Sequence, residues 1–271
     1  MSDADGFDEH LERWRSWAST PWGRIRFAVV RRTLSWQVGA LGGGPLRVLD
    51  VGGGDGRDSL PLAQQGHAVT VLDPAPGMLR EARSAAELLG VSGRLRVVEG
   101  SLDDLETSVE GAFDLVLCHF LLQYRPRGLA DLSRLSATLR PGGRLSVAAP
   151  NPAGAVLGRL VREGPAAALA ELDRPTGETV TFQQTVRKIR YEDIRDDLAA
   201  VGLEVVAQYG GRCASDLLAD DDAKQDPVFF ADLERLELAL CDREPFIRTA
   251  QFWQLVAEKP AGLTAASPGG P

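Results

Sequence analysis

Residues 47–56 read Arg47-Val48-Leu49-Asp50-Val51-Gly52-Gly53-Gly54-Asp55-Gly56, an apolar run entering a turn dense in glycine. A second apolar run, Ala68-Val69-Thr70-Val71-Leu72, closes on Asp73, about twenty residues further on, the interval that separates a glycine turn from a ribose-binding acid. Such a pair of strands is how a parallel α/β sheet holds an adenosine-bearing cofactor. The glycines let the backbone pass against the ligand where a Cβ would collide. The Asp73 carboxylate is placed to accept hydrogen bonds from both ribose hydroxyls. A dinucleotide fingerprint has its third glycine three residues after the second, and that position, three after Gly54, is Arg57. Gly52, Gly54 and Gly56 instead keep a tighter G-x-G-x-G spacing.

The rest of the chain continues the pattern. Phe113-Asp114-Leu115-Val116-Leu117-Cys118-His119 reads as a core strand ending in a polar residue, and Leu139-Arg140-Pro141-Gly142-Gly143 as a helix end and tight turn into the next strand. Strands are expected at 47–51, 68–72, 95–99, 113–118 and 144–149, and helices at 57–65, 76–89 and 127–139. This alternation marks an α/β fold with a doubly wound, mostly parallel sheet. Residues 8–40 read as two helices broken at Pro21 and Gly23. After Asn151-Pro152 the alternation stops, and Gly154, Gly158, Gly164, Pro165, Pro175 and Gly177 punctuate a segment with only short helical stretches, a position that suits a substrate lid. A helix at 191–201 and a strand at 203–209 follow. Then come a helix at 227–241, whose Phe229, Leu233, Leu236 and Leu240 form one stripe read as core packing, and a last strand at 249–258. The chain thus divides into an N-terminal helical lid and linker (1–44), a cofactor-binding core (45–150), an insertion (151–190), the remainder of the core sheet (191–260) and a disordered tail (261–271).

At 271 residues, 44% hydrophobic and 25% charged, the composition is that of an ordinary globular protein. No apolar run reaches the roughly eighteen residues of a membrane span, the N-terminus does not resemble a secretory signal, and the chain is read as cytoplasmic. Three widely spaced cysteines, Cys118, Cys213 and Cys241, suggest neither a disulfide framework nor a metal site. A net charge of −8 argues against a protein that coats nucleic acid. Arginines between residues 13 and 32, and Arg187, Lys188, Arg190 and Arg195, form either solvated faces or an anion-binding rim. Nothing in the sequence sets an oligomeric state.

The four elements, in this order and at these intervals, resemble the class I S-adenosylmethionine (SAM) dependent methyltransferases. The resemblance implies a Rossmann-like seven-stranded sheet and SAM as cofactor, with Gly52, Gly53 and Gly54 at the turn and Asp50 orienting it or meeting the methionine portion. In that fold Asp103 meets the adenine amino group and Leu102 covers the ring; the other reading of Asp103 is a helix N-cap. Arg26 reaches the methionine carboxylate or is solvated. Transfer from a sulfonium needs alignment above all, and a base only where the acceptor must lose a proton. Of three histidines, His10 and His67 are read as surface residues. His119, at a strand's carboxyl end, is either a pocket-wall residue or a proton acceptor.

Beyond the general fold, the chain resembles the bacterial tRNA 5-carboxymethoxyuridine methyltransferases, which methylate the carboxylate of a modified wobble uridine. The residues that carry this are Gly210-Gly211-Arg212 with Asp216, Leu236-Glu237 through Cys241, Glu244-Pro245-Phe246-Ile247 and Glu258-Lys259-Pro260. It implies cofactor contacts at Arg26, Gly52, Gly53, Asp73, Leu102, Asp103 and His119. A lysine-rich stretch of that family is absent, and residues 166–173 are apolar and acidic. The expected reaction is therefore O-methylation of a carboxylate on a small molecule or peptide, with Arg212 and Arg248 as acceptor-side cations. A tRNA substrate and a non-catalytic SAM-binding protein are the alternatives.

Overall fold

The structure, a computed structural model, describes residues 11–179 and 184–261. In chain order the strands are β1 (Arg47–Val51), β2 (Ala68–Asp73), β3 (Leu95–Glu99), β4 (Phe113–His119), β5 (Leu139–Pro150), β6 (Thr176–Glu178), β7 (Thr185–Arg187), β8 (Glu204–Gly211) and β9 (Phe252–Glu258). Seven of them form one sheet in the order β3-β2-β1-β4-β5-β9-β8, parallel except for β9, which runs against both of its neighbours. β6 and β7 make a separate antiparallel hairpin. The central strands are apolar on both faces because both are covered. Leu49 and Val51 of β1, with Val116 and Cys118 of β4, enter one core, while Val48, Leu115 and Leu117 enter the other, the period-2 alternation of a strand.

The main helices are α1 (Leu11–Ser19), α2 (Pro21–Ala40), α3 (Leu60–Gln64), α4 (Pro76–Leu88), α5 (Ala130–Ala137), α6 (Pro152–Glu163), α7 (Pro165–Leu172), α8 (Tyr191–Ala200) and α9 (Pro227–Leu240). Ile25, Val29, Val30 and Leu34 of α2 pack on the β1–β4 face. The break before α2 falls where Pro21 predicts it: Thr20 caps the helix by accepting from Gly23 N at 3.2 Å. No helix among the described residues is long and apolar enough to cross a membrane.

Several expectations change. Residues 152–172, read as part of a punctuated segment with only short helical stretches, are two well-formed helices. Asn151 caps α6 (Ala153 N donates at 3.2 Å), and the break falls at Gly164 and Pro165. Gly154 and Gly158 do not interrupt α6. A Cβ on Gly154 would stand 2.2 Å from the Ala250 carbonyl oxygen, so the glycines form the seam along which α6 lies against residues 250–251. On α9 the buried residues are Phe230, Leu233 and Glu237, while Phe229 and Leu236 of the expected stripe are exposed. The helix phase follows from Asp226, which caps the first turn, and from Glu237, which turns inward to hold a loop. β5 begins at Leu139, five residues early, because the Pro141-Gly142-Gly143 turn stays in the ladder with a register shift opposite Phe113/Leu115. His67 is buried, not a surface residue, and its Nδ1 accepts from Leu46 N at 3.1 Å. Residues 1–10 and 262–271, including His10 and nearly all of the expected tail, lie outside the described residues.

Candidate active site

The carboxyl ends of β1, β2 and β4, where the strand order reverses, open on a cavity of about 700 Å³, the position and size at which open α/β sheets take ligands. Its floor is the glycine turn. Gly52 and Gly54 hold φ of +70° and +54°, a left-handed backbone that side chains disfavour. Gly53 is glycine for another reason: its Cβ would stand 2.5 Å from the Asp50 Cγ. Asp73 braces this turn, its Oδ2 accepting from Gly54 N and its Oδ1 from Ala75 N, both at 2.9 Å. Trp14 of α1 closes on the same turn through its Nε1, 2.8 Å from Asp55 Oδ2.

Asp50 lines the cavity, and its Oδ2 is buried with no hydrogen-bond partner. Burial, reinforced by the negative charge of Asp58, pushes the Asp50 carboxyl up to about 7. Asp58 goes the other way. Burial alone would raise it, but the Arg26 guanidinium and the His119 hydrogen bond outweigh that and bring it down to about 2. Arg26 binds Asp58 with both terminal nitrogens, Nη2 at 2.7 Å from Oδ2, and His119 Nδ1 lies 2.9 Å from the same oxygen. An ionised carboxylate only accepts, so Nδ1 carries a proton, and Nε2 lies 2.8 Å from the Ser146 hydroxyl. Ser146 accepts in turn from Gln254 Nε2 at 2.8 Å, and the Gln254 oxygen from Thr33 Oγ1 at 2.8 Å. This buried chain ties α2, β4, β5 and β9 together behind the cavity wall. It occupies both ring nitrogens of His119. Asp58 was not legible in the sequence, because an Asp just ahead of a helix reads locally as a cap.

Not every expected site residue reaches the cavity. Asp103 is turned outward, its side chain 53% exposed, bound by Arg125 at 2.7 and 2.8 Å and by Arg134 at 3.0 Å. Ser101, not Asp103, caps the short helical turn that follows. Leu102 is buried in the core beneath and does not line the cavity. Arg248 does not line it either. It pairs with Glu244 and stacks on the Tyr191 ring, 4.6 Å to the centroid. Arg212 does reach the wall, its Nε 2.8 Å from Asp216 Oδ2.

Away from the glycine turn the wall carries both signs of charge, its basic side chains interleaved with Glu163, Glu171, Glu178 and Asp216. Arg159 and Arg162 come from α6, Arg174 from the segment after α7, Lys188 from beyond β7, and Arg212 from just past the end of β8. Lys188 Nζ meets Glu171 Oε1 at 2.8 Å, and Arg162 lies 3.5 Å from Asp216. Among the described residues two non-glycines hold a left-handed backbone, Phe120 (φ 55°) and Arg212 (φ 59°), and both line this cavity. Strain of this kind, about 1–3 kcal/mol each, concentrates where function demands a geometry.

A sheet in this order, with a glycine turn and an acid-tipped second strand at its carboxyl edge, defines the class I SAM-dependent methyltransferases, and the chain is an enzyme of that class that takes SAM as cofactor. The family described as "Methyltransferase domain" matches residues 48–143. The tRNA 5-carboxymethoxyuridine methyltransferase of Escherichia coli (strain K12) is 28% identical over 262 residues, spanning 94% of this chain and 96% of that enzyme. The ubiquinone biosynthesis O-methyltransferase of Xanthomonas euvesicatoria pv. vesicatoria (strain 85-10) is 38% identical over 99 residues, 36% of this chain and 41% of that one. Among solved structures, magnesium protoporphyrin IX methyltransferase from Synechocystis PCC 6803 with bound SAH superposes with a TM-score of 0.63 at 20% identity, over 94% of this chain and 97% of that one.

Proposed function

We propose that the enzyme transfers the methyl group of SAM to a carboxylate oxygen of a small acceptor. The observation that carries this is the make-up of the cavity. Its far half is lined by Arg159, Arg162, Arg174, Lys188 and Arg212 alongside Glu163, Glu171, Glu178 and Asp216, and His119, the one histidine on its wall among the described residues, has both ring nitrogens engaged. These basic groups now pair with acids of the same wall, and an anionic acceptor would draw on them by exchanging with those acids. A carboxylate, already ionised near neutral pH, needs no base.

The glycine end fits the cofactor. The Asp50 carboxyl lies buried beneath the turn with its Oδ2 unpartnered, the cradle at Gly53 has no room for a Cβ, and Asp73 is bonded to the turn at Gly54 N. Gly52, Gly53 and Gly54 then pass along the ligand, Asp73 holds the ribose, and Arg26, kept in place by Asp58, meets the methionine carboxylate. His119 serves as wall rather than as base. Asp103 and Leu102 are left out of the assignment, because both lie off the cavity. The cofactor supplies an electrophilic methyl group on a sulfonium whose sulfur departs as a neutral thioether. The acceptor oxygen provides the electron pair, and no proton moves. What the chain contributes is alignment, which is worth up to about 7–11 kcal/mol in such displacements.

Labelling a small-molecule extract with methyl-labelled SAM is expected to yield a product one CH2 heavier that mild alkali reverses, since esters hydrolyse and N- or C-methyl groups do not. An alkali-stable product would refute the carboxylate reading. The E. coli relative raises tRNA as a second reading. Of the arginines that could bind its phosphates, Arg187 is held by the carbonyls of Arg125 and Leu122 at 2.6 and 3.2 Å, Arg190 and Arg195 sit exposed beside Glu192 and Asp196, and the net charge of −8 opposes a polyanion. A filter-binding titration with bulk tRNA is therefore expected to show weak binding at low and high salt alike. Tight, salt-sensitive binding would reverse the ranking.

SAM binding should also release a proton. Burial, with the charges of Asp58 and Asp73, pushes the Asp50 carboxyl up to about 7 against the opposing Ser59 and Arg26. A cationic ligand favours the charged carboxylate, so below that pH binding must expel the proton. Affinity is expected to rise with pH, by about tenfold per unit well below 7, and to level off above it. Calorimetry in buffers of differing ionisation heat reads the proton directly, and Asp50→Asn should abolish its release. A pH-independent affinity between 5 and 8, roughly the range around this carboxyl, would remove Asp50 from the cofactor end.

A further inference from the structure

The apolar part of the cavity wall is aromatic. Trp22, Phe27, Phe120, Tyr124 and Phe252 line it, whereas the larger aliphatic side chains there, among the described residues, are Met78, Val186 and Leu218. Trp14 and Trp17 stack on each other and meet Phe27 edge-on beside the glycine turn, where Trp14 is tied to Asp55. Phe120 and Phe252 stand apart from that cluster and lead to Arg212. We propose that the methyl acceptor is a flat, aromatic carboxylic acid, its ring against Phe120 and its carboxylate on Arg212. This rests on the carboxylate reading above and narrows it.

The two left-handed non-glycines of the described residues, Phe120 and Arg212, are joined through one ring. Phe252 pairs with Gly211 across the β8–β9 ladder, and a Cβ on that glycine would stand 2.0 Å from the Phe252 Cζ. Arg212 is the next residue. The same Phe252 ring meets Phe120 edge-on, 5.4 Å between centroids. Phe120, Phe252 and Arg212 thus form one continuous stretch of the wall. Glycine would take the backbone of residue 120 without cost, whereas a bulky residue at φ 55° is an outlier, so what Phe120 supplies is its ring. That ring follows His119 directly and lies 4.7 Å from the Arg26 Cζ, and the residue stays half-buried on the cavity. On Arg212, Asp216 takes Nε and Nη2. Nη1 has no protein partner among the described residues and is not one of the buried unpartnered atoms, so a carboxylate can reach it. With one carboxylate oxygen there, the other is left to take the methyl group. An aromatic acid answers both features, a π-face for the ring and a planar anion for the guanidinium. A saturated acid of the same size gains burial alone.

The test is calorimetry with S-adenosylhomocysteine present, which keeps the cofactor end filled, on two probe acids, benzoic acid and cyclohexanecarboxylic acid. Wild-type enzyme is expected to bind benzoic acid about 3- to 10-fold more tightly, the gain of ring-on-ring contact beyond burial. Phe120→Leu should bring the two acids within about twofold of each other. Arg212→Gln should weaken both by about 10- to 100-fold and keep their ratio. Equal or weaker binding of benzoic acid, no binding of either acid, an unchanged ratio in Phe120→Leu, or wild-type affinity in Arg212→Gln overturns the proposal. So does an alkali-labile ester of a ringless acid from the labelled extract, which leaves the carboxylate reading standing. An alkali-stable product overturns the carboxylate reading itself. If Phe120→Leu does not fold, the comparison of the two acids on the wild-type enzyme still decides the matter.

Discussion

Glu237→Ala is expected to cost about 3–5 kcal/mol of folding stability, the range for stripping a buried group of its charged partner. Glu237 is completely buried on α9, and its carboxylate accepts from three successive backbone amides, Cys213 N at 2.7 Å, Ala214 N at 3.0 Å and Ser215 N at 2.7 Å. Three N–H groups converge on one point because Arg212 turns the chain through a left-handed conformation, and such a nest favours an anionic acceptor. Burial pushes the Glu237 carboxyl up, while the three amide bonds oppose that. Alanine leaves the amides facing an apolar void, and each unsatisfied donor costs about 1–3 kcal/mol. The same loop carries Arg212, Ser215 and Asp216 into the cavity wall, so loosening it should also weaken activity. Glu237→Gln retains one accepting oxygen and should fall about midway. Denaturant titration of the three proteins tests this. An alanine variant within about 1 kcal/mol of wild type would mean that water or a shifted loop satisfies the amides.

Asp73→Ala is expected to weaken SAM binding by about 10- to 100-fold, the loss of one charge-assisted hydrogen bond to a ribose hydroxyl at roughly 1.5–3 kcal/mol. The structure adds a second route to the same loss. Asp73 also fixes Gly54 N and Ala75 N, so its removal frees the turn that the cofactor must lie along. Asp73→Asn, which keeps an accepting oxygen, should lose less. Asp103→Ala makes the contrast: its carboxylate faces Arg125 and Arg134 at the surface, and SAM affinity should stay within about twofold, as for a substitution remote from the ligand. Isothermal calorimetry on the three variants separates the outcomes. Unchanged affinity in Asp73→Ala, or a large loss in Asp103→Ala, would show that the adenosine lies elsewhere.

What the residues alone determined is local. The β1 strand, its glycine turn and Asp73 follow from short-range demands: apolar runs buried on both faces, left-handed backbone at Gly52 and Gly54, and a carboxylate one βα unit away. These features repeat wherever the backbone has to approach a ligand, so pattern suffices to find them. What the tertiary structure decided is which of several locally equal readings holds. Glycine offers both conformational freedom and a missing Cβ. In sequence Gly154 and Gly158 looked like interruptions, yet they lie inside a helix and make room for Ala250 and Gln251, about a hundred residues away. On α9, Phe229 and Phe230 are equivalent by composition, and the inward pull of Glu237 on a distant loop chose Phe230. Asp103 had one neighbourhood in the chain and another in space, where Arg125 and Arg134 outcompete the cavity. Asp58 joins Arg26 to His119 across 32 and 61 residues, a pairing no local spacing encodes, because burial and partners of a charge are set only when distant elements pack.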